Sequence, residues 1–298
     1  LSHLGKDGYG ECVAINYYGI NLEDFILKLK EIQPRIENQK IIHPKEFFAF
    51  LEQFQLHHFL LSALDCAYWD LLGKVENKSF SDIQQLENNS LAESSITISI
   101  AEIDEQIRKI ENSSWNKFKV KCNGFNLKNT EKLLNLNRNI ALDANASFTK
   151  EDCLFIQETS GFQKLMYIEQ PLEIGNFGIL KNGNSVNWMA DEDCQDITFL
   201  EKLKPYYSSI NIKLMKCGGL TPALEMITEA KKLGYKIMLG CMTESSIGIS
   251  AGCTIAGLLD FADLDGANLI SNDYATGSFV DNGKIILSEK PGLGIALL

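Results

Sequence analysis

FKVKC, residues 118–122, carries two lysines, Lys119 and Lys121, on either side of a valine. The aromatic and β-branched residues alternating with polar ones read as a β-strand. Successive side chains of a strand leave on opposite faces, so both ammonium groups share one face. Taken alone, that pair reads as a solvent face or as an edge strand guarded by lysine. The rest of the chain points elsewhere, because runs of the same kind recur: SITISI (95–100), IALDANA (140–146), LMYIEQP (165–171), VNWMADED (186–193), INIKLM (210–215), KIMLGC (236–241) and FADLDG (261–266). Each is followed by a helix-like segment. Eight strands alternating with helical segments in under about 200 residues fit a parallel (β/α)8-type barrel.

Residues 1–91 have a different rhythm. LSHLGKDGYGEC (1–12) reads as a β-hairpin with Gly-Lys-Asp-Gly at its turn. It begins without a methionine, so preceding residues are expected in the full gene product. Residues 21–32 carry Leu22, Phe25, Ile26 and Leu29 at helical spacing, with Pro34 after them. Residues 54–74 read as one long apolar helix ending at Gly73, with Leu60, Leu61, Leu64, Ala67, Tyr68, Leu71 and Leu72 on its face. No low-complexity linker separates the two regions, so the first is expected to pack on the barrel.

With 298 residues, 45% of them apolar and 22% charged, the chain has material for a large core. A formal net charge of -11 argues against nucleic acid as a partner, since phosphate binding wants a basic face. Nothing approaches the ~20 apolar residues of a membrane helix. The eight cysteines are scattered, with no CxxC spacing, and read as reduced, mostly buried thiols of a cytoplasmic protein.

Barrel enzymes place their chemistry at the C-terminal ends of the strands. Here those ends carry, in order, Lys119 and Lys121; Asp143 and Asn145; Glu169; Asp191, Glu192 and Asp193; Lys213; and Asp263 and Asp265. Ionisable groups recur once per βα unit and are expected to converge on one mouth. Each carboxylate alone would pass as a helix N-cap. Three in consecutive units, flanked by lysines, would repel one another without a cation, and hard oxygen ligands favour Mg²⁺. Asp143, Glu169 and Asp191 are therefore the expected metal ligands. Lys119 and Lys121 lie to one side of them and Lys213 to the other. A like charge and partial desolvation both lower a lysine pKa, so Lys119 is expected to tune Lys121 as a base. Lys216, three residues beyond Lys213 in what reads as an extended strand, is expected to face away from the proton relay.

KVK, DANAS, IEQP, ADED, NIKLMKCGG and the helix SALDCAYWDLLGK, in this order and spacing, resemble the enolase superfamily, muconate-lactonising subgroup, over nearly the whole chain. The resemblance implies an α/β fold, a modified (β/α)7β TIM-like barrel with an α+β capping domain built from both chain ends. Residues 1–91 would form the capping domain, 92–270 the barrel, and 271–298 would return to the cap. The family's first capping strand and the mobile loop after it are expected to lie outside this chain. GCMTESSIGISAG and DFADLDG resemble the dipeptide epimerases of the L-Ala-D/L-Glu type. That implies a Mg²⁺-dependent isomerase of dipeptides in cell-wall peptide recycling, in the cytoplasm, with a homo-oligomer possible. The substrate carboxylate would chelate Mg²⁺, which would acidify Cα–H and stabilise an enediolate. Lys121 and Lys213 would exchange the proton from opposite faces, with Lys119 near the substrate carboxylate. Asp263 and Asp265, two free carboxylates, would hold the dipeptide ammonium, and Cys241 and Met242 would contact substrate.

Other readings stay open. An o-succinylbenzoate synthase or muconate cycloisomerase would use the same metal and lysines, although their substrates lack an ammonium for Asp263 and Asp265. A non-catalytic binding relic would have lost charges that this mouth retains. Asp193 departs from the family's usual serine, and Glu192 and Asp193 are expected behind the ligand or facing solvent. His57 and His58 read as packing or surface, and Tyr68 and Trp69 as helix core. The glycines of LGCMTESSIGISAG lack the spacing of a phosphate loop.

Overall fold

The computed structural model describes residues 1–87, 90–183 and 186–298. Strands β1 (Ser2–His3) and β2 (Lys6–Asp7) form the expected hairpin, but its turn is Leu4-Gly5, both at positive φ. Lys6 and Asp7, expected at the turn, are in the second strand. Two consecutive left-handed residues give the twist that a two-residue hairpin needs. Helix α1 (Leu22–Glu37) starts where Asn21 accepts a hydrogen bond from the Glu23 N–H. It runs through Pro34 instead of stopping before it, with the proline on the exposed face. Helix α2 (Pro44–Glu52), which the sequence pattern did not announce, packs Phe47 on Tyr68 with the rings 3.8 Å apart. Helix α3 (His58–Glu76) is shifted from its expected bounds. Gln55 at φ 50 breaks the approach, the His57 ring caps the Phe59 N–H, and left-handed Asn77 ends the helix.

Gly73 is therefore inside α3 and has another task. A Cβ there would lie 2.4 Å from Cα of Gly292, where the C-terminal segment crosses the helix. The crossing is tied by Gly292 N–H to Lys78 O (2.9 Å), Phe80 N–H to Gly292 O (2.9 Å) and Leu293 N–H to Asp70 Oδ1 (2.8 Å). Gly73→Ala should force backbone apart and cost about 3 kcal/mol, read as a lower denaturant midpoint at unchanged m-value. A midpoint within error of the wild type would show that the crossing yields freely.

After α4 (Phe80–Gln84) the barrel follows: β3 (Ile96–Ile98), α5 (Ile103–Glu111), β4 (Lys117–Lys121), α6 (Leu127–Leu134), β5 (Asn139–Asp143), α7 (Lys150–Glu158), β6 (Ile168–Glu169), β7 (Trp188–Ala190), α8 (Leu200–Leu203), β8 (Ser209–Ile212), α9 (Leu214–Cys217), α10 (Leu220–Lys232), β9 (Lys236–Gly240), α11 (Ser246–Cys253) and β10 (Phe261–Asp263). All eight strands read from the sequence are present. They pair in parallel in chain order, and a Ser94–Ala262 bridge brings the segment before β3 to β10 to close the ring. Beyond it, β11 (Ala275–Thr276) pairs with β14 (Ala296–Leu297), and β12 (Phe279–Asp281) with β13 (Lys284–Ile286). Among the described residues no helix is long and apolar enough to cross a membrane.

One layer below the strand ends the barrel interior is apolar except at Lys119 and Asn211, the register partners of Ala141 and Met238. Ala141, Tyr167, Met189 and Met238 form their own buried cluster. Three of them precede Asp143, Glu169 and Asp191 by two residues, so strand alternation puts those acids on the same inward face, one step nearer the mouth.

Candidate active site

Register sets the carboxylates and lysines side by side. Lys121 pairs with Asp143 across β4 and β5, and Asp143 with Glu169 across β5 and β6. Lys121 Nζ donates to Asp143 Oδ2 and to Asn145 Oδ1, both at 2.8 Å. On the opposite side Lys213 Nζ donates to Asp191 Oδ2 at 2.7 Å. Burial alone would favour the neutral form of a carboxylate. At Asp191 burial is outweighed by Lys213 and Lys216, which hold it well below the usual carboxylate range. Lys213 is likewise held as ammonium, because Asp191 and Glu169 outweigh its own burial. The structure thus brings together Lys119, Lys121, Asp143, Glu169, Asp191 and Lys213, as the sequence predicted.

Lys119 behaves otherwise than expected. Its Nζ is hydrogen-bonded to Asp263 and lies 3.6 Å from Glu169 Oε2 and 3.8 Å from Asp143 Oδ2. Burial alone would lower its pKa, but Asp263, Glu169 and Asp143 outweigh that and raise it well above the ordinary lysine value. Lys119 is a buried counter-ion to three acids, not a bare like charge beside Lys121. For the same reason Asp263 is not a free carboxylate: it also accepts from the Ser95 hydroxyl. Asp265 accepts from the Thr97 N–H at 2.6 Å, and its other oxygen stands 4.0 Å from Cys241 Sγ. Burial and Asp263 raise Asp265 to about 6, and a substrate ammonium would favour its charged form.

Glu169 is the fully buried centre of the cluster. Its Oε1 accepts from Asn211 Nδ2 at 2.7 Å, while Oε2 has no hydrogen-bond partner among the described residues. Burial raises its pKa to about 8. An orphaned buried carboxylate oxygen between two further acids is an unfilled demand for a cation. Among the described residues no three His, Cys, Asp or Glu side chains are drawn together as a closed metal cage, because Asp143 and Asp191 are each turned to a lysine. A divalent cation offered to Glu169 Oε2 would compete with those lysines for all-oxygen, hard ligands, which suit Mg²⁺. The residues present fit such an ion.

Several residues were missed or misplaced by sequence reasoning. Gln170 is buried, with its Oε1 accepting from the backbone N–H groups of Asp191 and Asp193 at 3.1 and 3.0 Å. It holds the end of β7 from the neighbouring unit. Of its two expected places, Asp193 takes the one behind the ligand. It is buried and accepts from Gln170, Gly175 and the Tyr207 hydroxyl. Glu192 stands beside the site, raised to about 7 by burial and by Asp191, with Asn145 Nδ2 at 3.4 Å from its Oε1. His57 caps α3, and His58 Nδ1 lies 2.6 Å from Lys216 O. Trp69 is fully buried and donates to Thr221, as fits a core residue. The segment between β2 and α1 reaches the mouth. The Tyr18 ring lies tilted against Phe59 with centroids 5.1 Å apart, and burial and then Asp191 push its phenol up. A loop at the mouth, between β2 and α1, is thus within this chain. All eight cysteines are free thiols.

Met242 and Cys241 sit at the end of β9, where the Met242 N–H donates to Glu244 Oε1 at 2.7 Å. Glu244 is buried, and burial together with the facing Glu11 raises it to about 8, although the Met242 bond opposes this. A raised carboxyl stabilises the fold fully below its unfolded pKa, near 4.5, and that contribution is lost as pH rises through about 8. Glu244→Gln keeps the acceptor and removes the titration. The variant should outlast the wild type at pH 8.5 by a few kcal/mol, since each tenfold change in proton affinity is worth about 1.4 kcal/mol, and the gap should shrink toward pH 5. Parallel pH–stability curves would refute the assignment.

The model of the enolase C-terminal domain-like family matches residues 102–298. The L-Ala-D/L-amino acid epimerase of Maribacter sp. (strain HTCC2170 / KCCM 42371) is 35% identical over 100% of this chain and 90% of its own. The L-Ala-D/L-Glu epimerase of Bacteroides thetaiotaomicron is 31% identical over 99% of this chain and 79% of its own. The crystal structure of a dipeptide epimerase from Methylococcus capsulatus, complexed with Mg and the dipeptide L-Arg-D-Lys, superimposes with a TM-score of 0.86 at 25% identity, covering 97% of this chain and 87% of that one. Full-length relatives above 30% identity and a shared barrel establish that this chain belongs to the enolase superfamily, in the enolase C-terminal domain-like family.

Proposed function

We propose that the protein is a Mg²⁺-dependent dipeptide epimerase, an isomerase that moves a proton between the two faces of Cα in the C-terminal residue of an L-Ala dipeptide. The observation that carries this is the placement of Lys121 and Lys213 on opposite sides of one carboxylate trio, each bonded to a different acid. Asp143, Glu169 and Asp191 would hold the ion, which supplies Lewis acidity at the substrate carboxylate. Lys121 and Lys213 would each hold or take the Cα proton from one face. Lys119, buried among acids, would set the charge at the carboxylate end. Asp265, with Cys241 and Met242 beside it, would receive the substrate ammonium, and Asp263 would act mainly through Lys119. Residues 1–91 with 271–298 would form the cap over a barrel of residues 92–270. The substrate class supports a cytoplasmic role in cell-wall peptide recycling.

L-Ala-L-Glu is the first substrate to test, as the named activity of relatives suggests. A second reading follows from CVAINYYGINL (12–22), which has no charged residue although Tyr18 stands by Asp191. It favours a neutral second side chain. Both are tested by incubation with Mg²⁺ in D₂O and proton NMR of L-Ala-L-Glu and L-Ala-L-Met. Loss of the Cα–H signal with growth of the second epimer is the expected result, and the faster substrate chooses between the readings. If neither dipeptide nor a dipeptide library exchanges, while an elimination substrate turns over, the epimerase reading falls.

A further inference from the structure

Lys216 has no place in the reaction just described, yet it is one of the most buried side chains in the protein, at 2% exposure. β8 stops at Ile212, and α9 begins at Leu214 with Lys213 as its extended N-cap residue. Because the chain turns helical there, a residue three further on returns to the side of Lys213 instead of alternating away. The expectation from an extended strand is overturned for this reason. Lys216 Nζ contacts Asp191 Oδ1 at 2.5 Å, Asp191 O at 2.6 Å, and the carbonyls of Cys194 and Asn211 at 3.2 Å each. Its three protons are fully engaged, all by the end of β7, the loop after it, and β8.

Asp191 consequently has two cations, one per oxygen: Lys216 on Oδ1 and Lys213 on Oδ2. The two are not equivalent. Lys216 also grips the backbone of its partner, while Lys213 makes one bond to it and stands at the mouth. The carbonyl of Lys216 is itself held by His58 Nδ1 at the first turn of α3. We propose that Lys216 is a positioning residue: it locks Asp191 Oδ1, so that Asp191 offers a single oxygen to the metal and Lys213 is released when the ion binds. This rests on the proposed metal site, but its test does not depend on the substrate assignment.

The test uses the full chain, with acetic anhydride labelling of lysines read by mass spectrometry, with and without saturating Mg²⁺. Labelling of Lys213 should rise several-fold on adding Mg²⁺, while Lys216 stays protected. Lys216 becoming labelled together with Lys213, or neither changing, would overturn the proposal. Lys216→Gln, which keeps polar contacts to the carbonyls without the charge, supplies the second arm. Its Mg²⁺ affinity by calorimetry should fall about tenfold, since Asp191 is then free to close both oxygens on Lys213. Tighter binding would mean that Lys216 only repels the ion, and would sink the positioning role. At saturating Mg²⁺, deuterium exchange should fall at least tenfold more for the epimer whose exchange depends on Lys213 than for its mirror. An equal fall in both would point to a merely structural residue. Absence of exchange in the wild type would refute the dipeptide reading and leave the labelling and calorimetry to decide on Lys216.

Discussion

Lys213→Ala is expected to abolish epimerisation while leaving deuterium exchange at Cα alive for one of the two epimers. The two candidate bases are bonded to different acids, Lys121 to Asp143 and Lys213 to Asp191, with Glu169 between them. Removing Lys213 strips one face of its proton carrier and leaves the other in place. A general base contributes roughly 10²–10⁴-fold, so turnover should fall by about 10³-fold or more. Exchange of the epimer whose Cα–H faces Lys121 should persist within about tenfold of the wild type. The fold should survive, because Asp191 keeps Lys216 on its other oxygen and is not left as an unpaired buried charge. Proton NMR in D₂O on each pure epimer decides. Retained epimerisation would end the two-base assignment, and loss of exchange from both epimers would mean that Lys213 acts on the metal site as a whole.

The parts of this site legible in the sequence are those that repeat with the barrel. A strand end comes once per βα unit, so Lys121, Asp143, Glu169, Asp191 and Lys213 announce themselves by period, and alternation decides their face. What was misread breaks that regularity. Lys216 was assigned by strand parity, but β8 ends at Ile212 and a helical turn reverses the answer. The Lys119–Asp263 pair joins residues 144 apart in the chain, and no local pattern tells that a lysine of β4 will meet an acid of β10 where the ring closes. Gln170 looked like part of a motif, yet its work is to hold two backbone N–H groups of the next unit. In residues 1–91, helix bounds were displaced by left-handed residues, Gln55 and Asn77, that carry no glycine signature. Gly73 looked like a stop signal and is instead a contact with Gly292. Glycine in a sequence reports a need for space or for positive φ, and only the packing says which.

Glu169→Gln should change function and stability in opposite directions. Glu169 is fully buried, with Oε2 accepting no hydrogen bond among the described residues and a pKa raised to about 8 by burial. Its contribution to folding is complete below about 4.5, its ordinary value, and is lost as pH rises through about 8. The metal-free wild type should therefore weaken as pH climbs from 6 to 9, and Mg²⁺ should restore what ionisation removes. Glutamine retains the acceptor for Asn211 Nδ2 and never ionises. In EDTA at pH 8.5 the variant should melt several degrees above the wild type, a gain on the order of 1–3 kcal/mol. Its amide N–H₂ would stand where an ion needs an oxygen, so Mg²⁺ should no longer raise its melting temperature. Exchange should vanish for both epimers, unlike the one-sided loss expected of Lys213→Ala. Melting curves across pH, with and without Mg²⁺, test all of this before any substrate is added. A Mg²⁺ shift equal to that of the wild type would remove Glu169 from the ligand set. A variant less stable than the metal-free wild type at pH 8.5 would show that Glu169 is charged and satisfied there, held by Lys119 at 3.6 Å without help from an ion.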